Sequence, residues 1–483
     1  MTTRIEAAVL LADPGGPTQT NQTITVADGR VAAVAPAASA ATSGNLVMPA
    51  FVNAHDHARV VRNSQIGNFD VALEAWLPQL AAIPAVDPWL TAAVAFGRSA
   101  CAGIATEMAH YTRVQGLTAY LDEAQAVAKA ARDVGIRIAF AVQCRDRNPL
   151  VYGAQESVLK RLSPAACACV SQKFLGAPLP AAEQVALVEA TAAAIEGDGV
   201  TVQYGPAGPQ WCSDDLLSRI AESSAVHGRR VHMHLLESRY QRAWADKTYP
   251  QGILRHLDAL GLVNSRASFA HGTWLGADEM ELIAARDATI VVNISSNLVL
   301  RSGIAPLAEM LRRGCRVAMG LDGVALDERE DPLAEMQLAY LLHKGEGFET
   351  RMSREQVLRF ALAAGRFAVL GDQDGGAIVP GAAADLLVLD WDALTADRLD
   401  DTVPPLDTVF SRARRRHVKD LYVAGRHVVR DGTVTGVDLP ALEAELLTTL
   451  RRRFGATADI RAALPDLRAA LGAHYHPDAF VCS

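Results

Sequence analysis

The chain has 483 residues and a net charge of −8, from 46 Lys plus Arg against 54 Asp plus Glu. Apolar residues make up 50% and charged residues 21%, which supplies a large core and excludes wholesale disorder. The acidic balance excludes the basic excess of a nucleic-acid binder, and the length exceeds a single ordinary domain of roughly 150 residues.

Residues 1–47 read as short strands. Arg4–Leu11 and Thr23–Val26 flank Asp13-Pro14-Gly15-Gly16-Pro17, and Asp28-Gly29 turns the chain into Arg30–Val34, a hairpin signal. The start, Met1-Thr2-Thr3-Arg4-Ile5-Glu6, lacks the layout of a signal peptide. The best apolar stretch, Leu90 to Ala109, is interrupted by Arg98 and Glu107, so no membrane span is expected. Seven cysteines, thinly spread, suit a reducing cytoplasm rather than a disulfide framework.

Residues 48–372 alternate between strand-length runs and helical periods. The runs are Leu46–Val52, Gly103–Met108, Ile136–Val142, Val200–Tyr204, Val231–Leu235, Ala267–Ala270, Thr289–Asn293 and Arg316–Met319. Between them lie helical stretches such as Leu121–Val134, Ala182–Glu196 and Asp214–His227. Runs with few polar interruptions fit parallel strands buried on both faces, and eight such units give an α/β fold, a (β/α)8 TIM barrel. Residues 373–436 return to strands at Ala384–Leu389, Val418–Val423 and Arg426–Val429, so both termini are expected to share a small flanking β-sandwich domain. Residues 437–483, with helices at Glu443–Phe454 and Ile460–Leu471, read as a C-terminal helical appendage.

Catalytic groups of such a barrel sit at the C-terminal ends of its strands. His55-Asp56-His57 follows the first run, and two residues apart on a strand share one side. The fifth run ends in His232-Met233-His234-Leu235-Leu236-Glu237, the sixth in His271 and the eighth in Asp322. His232 lies one layer deeper and reads as a hydrogen-bonded core histidine. Imidazoles plus a carboxylate at one rim suit zinc or another divalent ion with an open position for water. Such an ion generates hydroxide near neutral pH, and a neighbouring carboxylate can shuttle protons. The constellation describes metal-assisted hydrolysis.

These motifs closely resemble the amidohydrolase superfamily, in particular its mononuclear aminohydrolase branch of deaminases and s-triazine hydrolases. The resemblance rests on Met48–His57, His234-Leu235-Leu236-Glu237, Ala270-His271, Ser295-Ser296-Asn297, Gly320-Leu321-Asp322 and Pro380–Leu386. It implies one divalent metal, zinc first and iron as the alternative, held by His55, His57, His234 and Asp322. It implies further that Asp322 takes a proton from the nucleophilic water, Glu237 protonates a ring nitrogen, and His271 holds the hydroxide and polarises the carbon. The reaction so implied releases ammonia or a small amine from an aminated aromatic N-heterocycle by attack of metal-bound hydroxide. The alternative keeps the metal site and hydrolyses a C–Cl bond or a cyclic amide. Binuclear members bridge their metals with a Lys or Glu at strand four; Val200–Pro206 has neither, and Lys173 belongs to the preceding crossover.

Substrate selection is expected from the loops. Trp76 offers a ring to stack on or an apolar staple. Gln143, Arg145 and Arg147 follow strand three, and Gln210 and Trp211 follow strand four. The arginines could grip an acidic substituent. Asp327-Glu328-Arg329-Glu330-Asp331 reads as a solvated helix N-terminus. The partner is a small molecule, with neither nucleic acid nor membrane, and a homodimer follows by family analogy.

Overall fold

The computed structural model describes residues 2–38, 44–323, 328, 330–372 and 376–476. Eight parallel strands follow one another in chain order: Phe51–Asp56, Ile104–Tyr111, Arg137–Cys144, Val200–Pro206, Val231–Leu235, Ala267–His271, Thr289–Val292 and Arg316–Met319. Helices such as Pro88–Cys101, Tyr120–Val134 and Asp214–His227 cover the outside. Side chains including Val52, Met108, Ala139, Ala141, Val291 and Ala318 pack together as an apolar cluster, so the strands are apolar on both faces. The register makes Val200–Pro206 the fourth strand. Beyond the strand ends, Leu321 N–H donates to Asn53 Oδ1 and Asp322 N–H to the His55 carbonyl, each at 2.9 Å, drawing the eighth strand onto the first. Gly320 permits this approach, because a Cβ there would lie 2.7 Å from that of His55.

A second sheet joins the two ends of the chain. Its order is Thr433–Val434, Arg426–Arg430, Val418–Val423, Leu386–Asp390, Asn45–Pro49, Thr2–Leu10, Gln19–Ala27 and Arg30–Pro36. The run Leu46–Val52, expected as one barrel strand, is divided between the sheets. Asn45–Pro49 pairs antiparallel with Leu386–Asp390, and Phe51–Asp56 opens the barrel. Pro49 brings no N–H to a ladder, and Ala50 N–H turns to the Asp385 carbonyl at 3.0 Å. Both halves are buried, so apolarity alone does not reveal the change of sheet.

The C-terminal helices, Leu439–Arg453 and Ala458–His474, pack on Pro88–Cys101 and on Pro164–Phe174. Leu464, Leu467 and Leu471 share a core with Val158 and Val170, and Tyr475 then reaches the barrel mouth. The segment is therefore a wall of the cavity at the barrel mouth as well as an appendage. Among the described residues, no helix is long and apolar enough to cross a membrane.

The acidic run after strand eight differs from its expectation. Asp327 and Arg329 lie outside the described residues. Asp331 does cap a helix, Pro332–His343, by accepting from the N–H groups of Leu333 (3.1 Å) and Ala334 (3.3 Å). Yet Glu330 and Asp331 are buried, and Glu330 pairs with Arg415 at 3.2 Å. The solvated reading fails because the neighbouring arginines let these carboxylates fold inward.

Candidate active site

The strand ends turn sharply towards the barrel axis. Ala58, Leu236, His271 and Asp322 all have left-handed φ, of 50°, 47°, 74° and 63°, a conformation that non-glycine residues hold only where surrounding contacts enforce it. These turns bring the side chains of strands one, five, six and eight to one place.

Each imidazole there is oriented by what its other nitrogen does. His57 Nδ1–H donates to the His110 carbonyl at 2.7 Å, and His234 Nδ1–H to the Ala207 carbonyl at 2.8 Å. Their Nε2 lone pairs therefore face each other, 3.4 Å apart. His55 Nδ1 lies 2.7 Å from His232 Nε2, and His232 Nδ1 lies 2.7 Å from Ser268 Oγ. Donation along that row, ending on the Val231 carbonyl, leaves His55 Nε2 as an acceptor too. Asp322 Oδ1 sits 3.2 Å from His55 Nε2 and 3.0 Å from His57 Nε2, and its Oδ2 accepts from Ser296 Oγ at 2.5 Å.

Converging lone pairs need an electrophile. His55 Nε2 and His271 Nε2 are buried without a hydrogen-bond partner, an uncompensated cost in a protein interior. The donor atoms of His55, His57 and Asp322, and those of His55, His234 and His271, lie within 4.8 Å of one another. This set fits a divalent metal ion. Burial pushes the His57 imidazole down to about 3 and that of His271 to about 4, so both are neutral, the form that ligates metals.

The two carboxyl groups beside this centre are driven apart. Burial, reinforced by Asp322 and Glu74, holds the Glu237 carboxyl well above its usual range. For Asp322 burial acts in the same direction, but the His55 and His57 imidazoles beside it overcome it and hold that carboxyl well below. Glu237 is thus biased towards the acid form and Asp322 towards the carboxylate, the division of labour that acid–base chemistry requires. Glu237 is anchored through its N–H to Gln241 Oε1 at 2.8 Å, and its Oε2 lies 3.6 Å from His271 Nε2. His271 Nδ1 in turn faces Asn297 Oδ1 at 2.9 Å.

Above the centre opens a cavity of about 540 Å³ with His57, His234, Glu237, His271 and Asp322 in its lining. Of the loop residues singled out from sequence, Trp76, Gln143, Arg145 and Trp211 border it. Trp76 does so with only 1% of its surface exposed; its N–H is held by Asn63 Oδ1 at 2.9 Å and Arg59 covers its ring at 5.2 Å. Gln210 is not brought to the cavity. It is buried beside it, with its carbonyl accepting from Asn148 Nδ2 at 2.6 Å. Arg147 also turns away, its guanidinium 5.3 Å over Trp244. His232 is a buried, hydrogen-bonded core histidine, as expected.

Sequence reasoning missed His110, Glu74, Tyr152, Arg59, Arg113 and Tyr475. His110 closes the second strand, two residues past the run Gly103–Met108; extending that run to the strand's true end would have found it. Glu74 accepts from Tyr152 Oη at 3.1 Å and from Ser238 Oγ, while its Oε2 is buried without a partner. No sequence signal foretells that contact, because its members come from three different loops.

The model of the amidohydrolase family matches residues 46–428, which span the barrel and part of the flanking sheet. The chain belongs to the amidohydrolase family. A 5'-deoxyadenosine deaminase of Methanopyrus kandleri is 32% identical over 50% of this chain and 55% of its own length. The 5'-deoxyadenosine deaminase of Methanosarcina barkeri is 28% identical over 89% of this chain and 93% of its own. Among solved structures, an adenosine deaminase from Xanthomonas campestris with bound zinc superposes with a TM-score of 0.77 at 24% identity, covering 94% of this chain and 98% of that one.

Proposed function

We propose that this amidohydrolase is a mononuclear aminohydrolase that releases ammonia or a small amine from an aminated aromatic N-heterocycle. The observation that carries the reading is the convergence of three Nε2 lone pairs and the Asp322 carboxylate beside a buried Glu237 whose carboxyl is raised. The deaminases among its relatives support it. His55, His57, His234 and Asp322 would hold one divalent ion, zinc in first place and iron as the alternative. Bound there, the ion lowers the pKa of water towards about 7.

The chain's own groups do the rest. Asp322, held as a carboxylate, accepts the proton of the attacking water. His271, with Nδ1–H fixed by Asn297, offers Nε2 to that water and aligns it with the carbon under attack. Glu237 delivers its proton to the ring nitrogen, which is why its burial matters. Gln143, Arg145 and Trp211 border the space left for the ring. A cytoplasmic site of action and a homodimer complete the reading.

The test is metal analysis together with ammonia release from a panel of purines, pterins, pyrimidines and triazines. One metal per chain and ammonia from at least one ring class are expected. Chloride or a ring-opened product without ammonia would overturn the assignment.

A further inference from the structure

The cavity wall carries a charge that the proposed reaction leaves unused. Arg59, Arg113, Arg145, Lys173 and Arg453 all border it, in a chain whose net charge is −8. Arg59 comes from the turn after the first barrel strand and Arg113 from the loop after the second. Arg59 donates through Nη2 to Thr112 Oγ1 at 3.0 Å, and its Nε is buried without an acceptor. Arg113 donates to the Ile83 carbonyl at 2.7 Å, and at 3.4 Å to the Pro84 carbonyl and Gln115 Oε1. Every acceptor that either guanidinium has among the described residues is uncharged.

Neighbouring like charges withdrawn from water repel each other, and each is penalised by burial. Burial first, and then Arg59, pushes the Arg113 guanidinium down to about 10. An anion between them offsets both costs, and the guanidinium fork matches the paired oxygens of a carboxylate or phosphate. The position is also informative. Thr112 Oγ1, which binds Arg59, lies 2.9 Å from His57 Nδ1, so Arg59 is two hydrogen bonds away from a proposed metal ligand.

We propose that Arg59 and Arg113 bind a carboxylate or phosphate group of the substrate close to its reacting carbon. The substrate is then a compact anionic ring. The reaction half of this statement rests on the aminohydrolase reading; the anion site does not.

Calorimetric titration of the metal-loaded protein with benzoate, its neutral counterpart benzamide, and inorganic phosphate tests the site. Arg59→Met and Arg113→Met are each expected to weaken the anion by roughly tenfold or more, the loss of one charge-assisted hydrogen bond. Arg113→Lys, which keeps the charge without the fork, falls between wild type and Arg113→Met. Benzamide binding does not follow the arginines. The tighter of benzoate and phosphate identifies the group. Anion affinity that is absent in the wild type, or unchanged in both Met variants and removed only by a chelator, overturns the proposal, since the anion then sits on the metal. Thermal midpoints verify folding, and Arg113→Lys decides if a Met variant unfolds. Arginine-dependent benzoate binding without ammonia release from any ring would sink the reaction and leave the site standing; the reverse result would sink the site alone.

Discussion

The floor and the wall of the cavity are built on different principles. On the floor, the His57 and His234 rings are each fixed by a backbone carbonyl, and the His55 ring by the row through His232 and Ser268. On the wall, Arg59, Arg113 and Arg145 donate, among the described residues, only to uncharged oxygens and come from loops after three different strands. A floor held by strand ends has one geometry, set by the barrel's register. A wall made from loops can change its charge without disturbing that geometry, so relatives with the same floor need not share a substrate.

The sharpest way to break this contrast is to remove a floor ligand. His234→Ala should abolish stoichiometric metal binding and cost turnover well beyond the 10- to 100-fold typical of a residue that merely supports a ligand. Elemental analysis of the wild type should give a metal-to-chain ratio near one, and a reproducible ratio near two would overturn the single-metal floor. Next comes Glu237→Gln, which keeps shape and removes the proton. Turnover should fall by about 100-fold or more with the metal content intact; loss of metal would make Glu237 a ligand instead. Because its acid form does the work and its carboxyl is raised by burial, wild-type kcat/KM should fall as the pH climbs through that raised value.

A smaller effect is expected at His232, which supports His55 without facing the cavity. His232→Phe should weaken metal affinity by about 10- to 100-fold, read by competition with a chelator. Unchanged affinity would show that the row to Ser268 is packing alone. The smallest effects separate two arginines of the wall. Arg145→Ala should raise KM for an anionic ring by roughly 10-fold and leave the ratio for a neutral ring closer to one. Arg147→Ala should leave that discrimination untouched and cost only about 0.5–1 kcal/mol of stability, the worth of its contact with Trp244. Equal kinetic effects of the two substitutions would erase the distinction the cavity draws between them.

By itself the sequence determined the barrel and the positions on which its floor is built. Period and apolarity are local properties, and His55, His57, His234, His271 and Asp322 are legible because each stands where a run of strand residues ends. Only the tertiary structure decided that the run Leu46–Val52 serves two sheets, since both environments bury the same residues. It also decided that Tyr475, far down the chain, borders a cavity beside Glu74 and Tyr152, and that Gln210 turns away from it while its neighbour Trp211 does not. Side-chain direction in a loop follows from packing against segments distant in sequence. Arg59 and Arg113 look like ordinary surface charges until the fold places them on one wall, where among the described residues their hydrogen-bond acceptors are all uncharged.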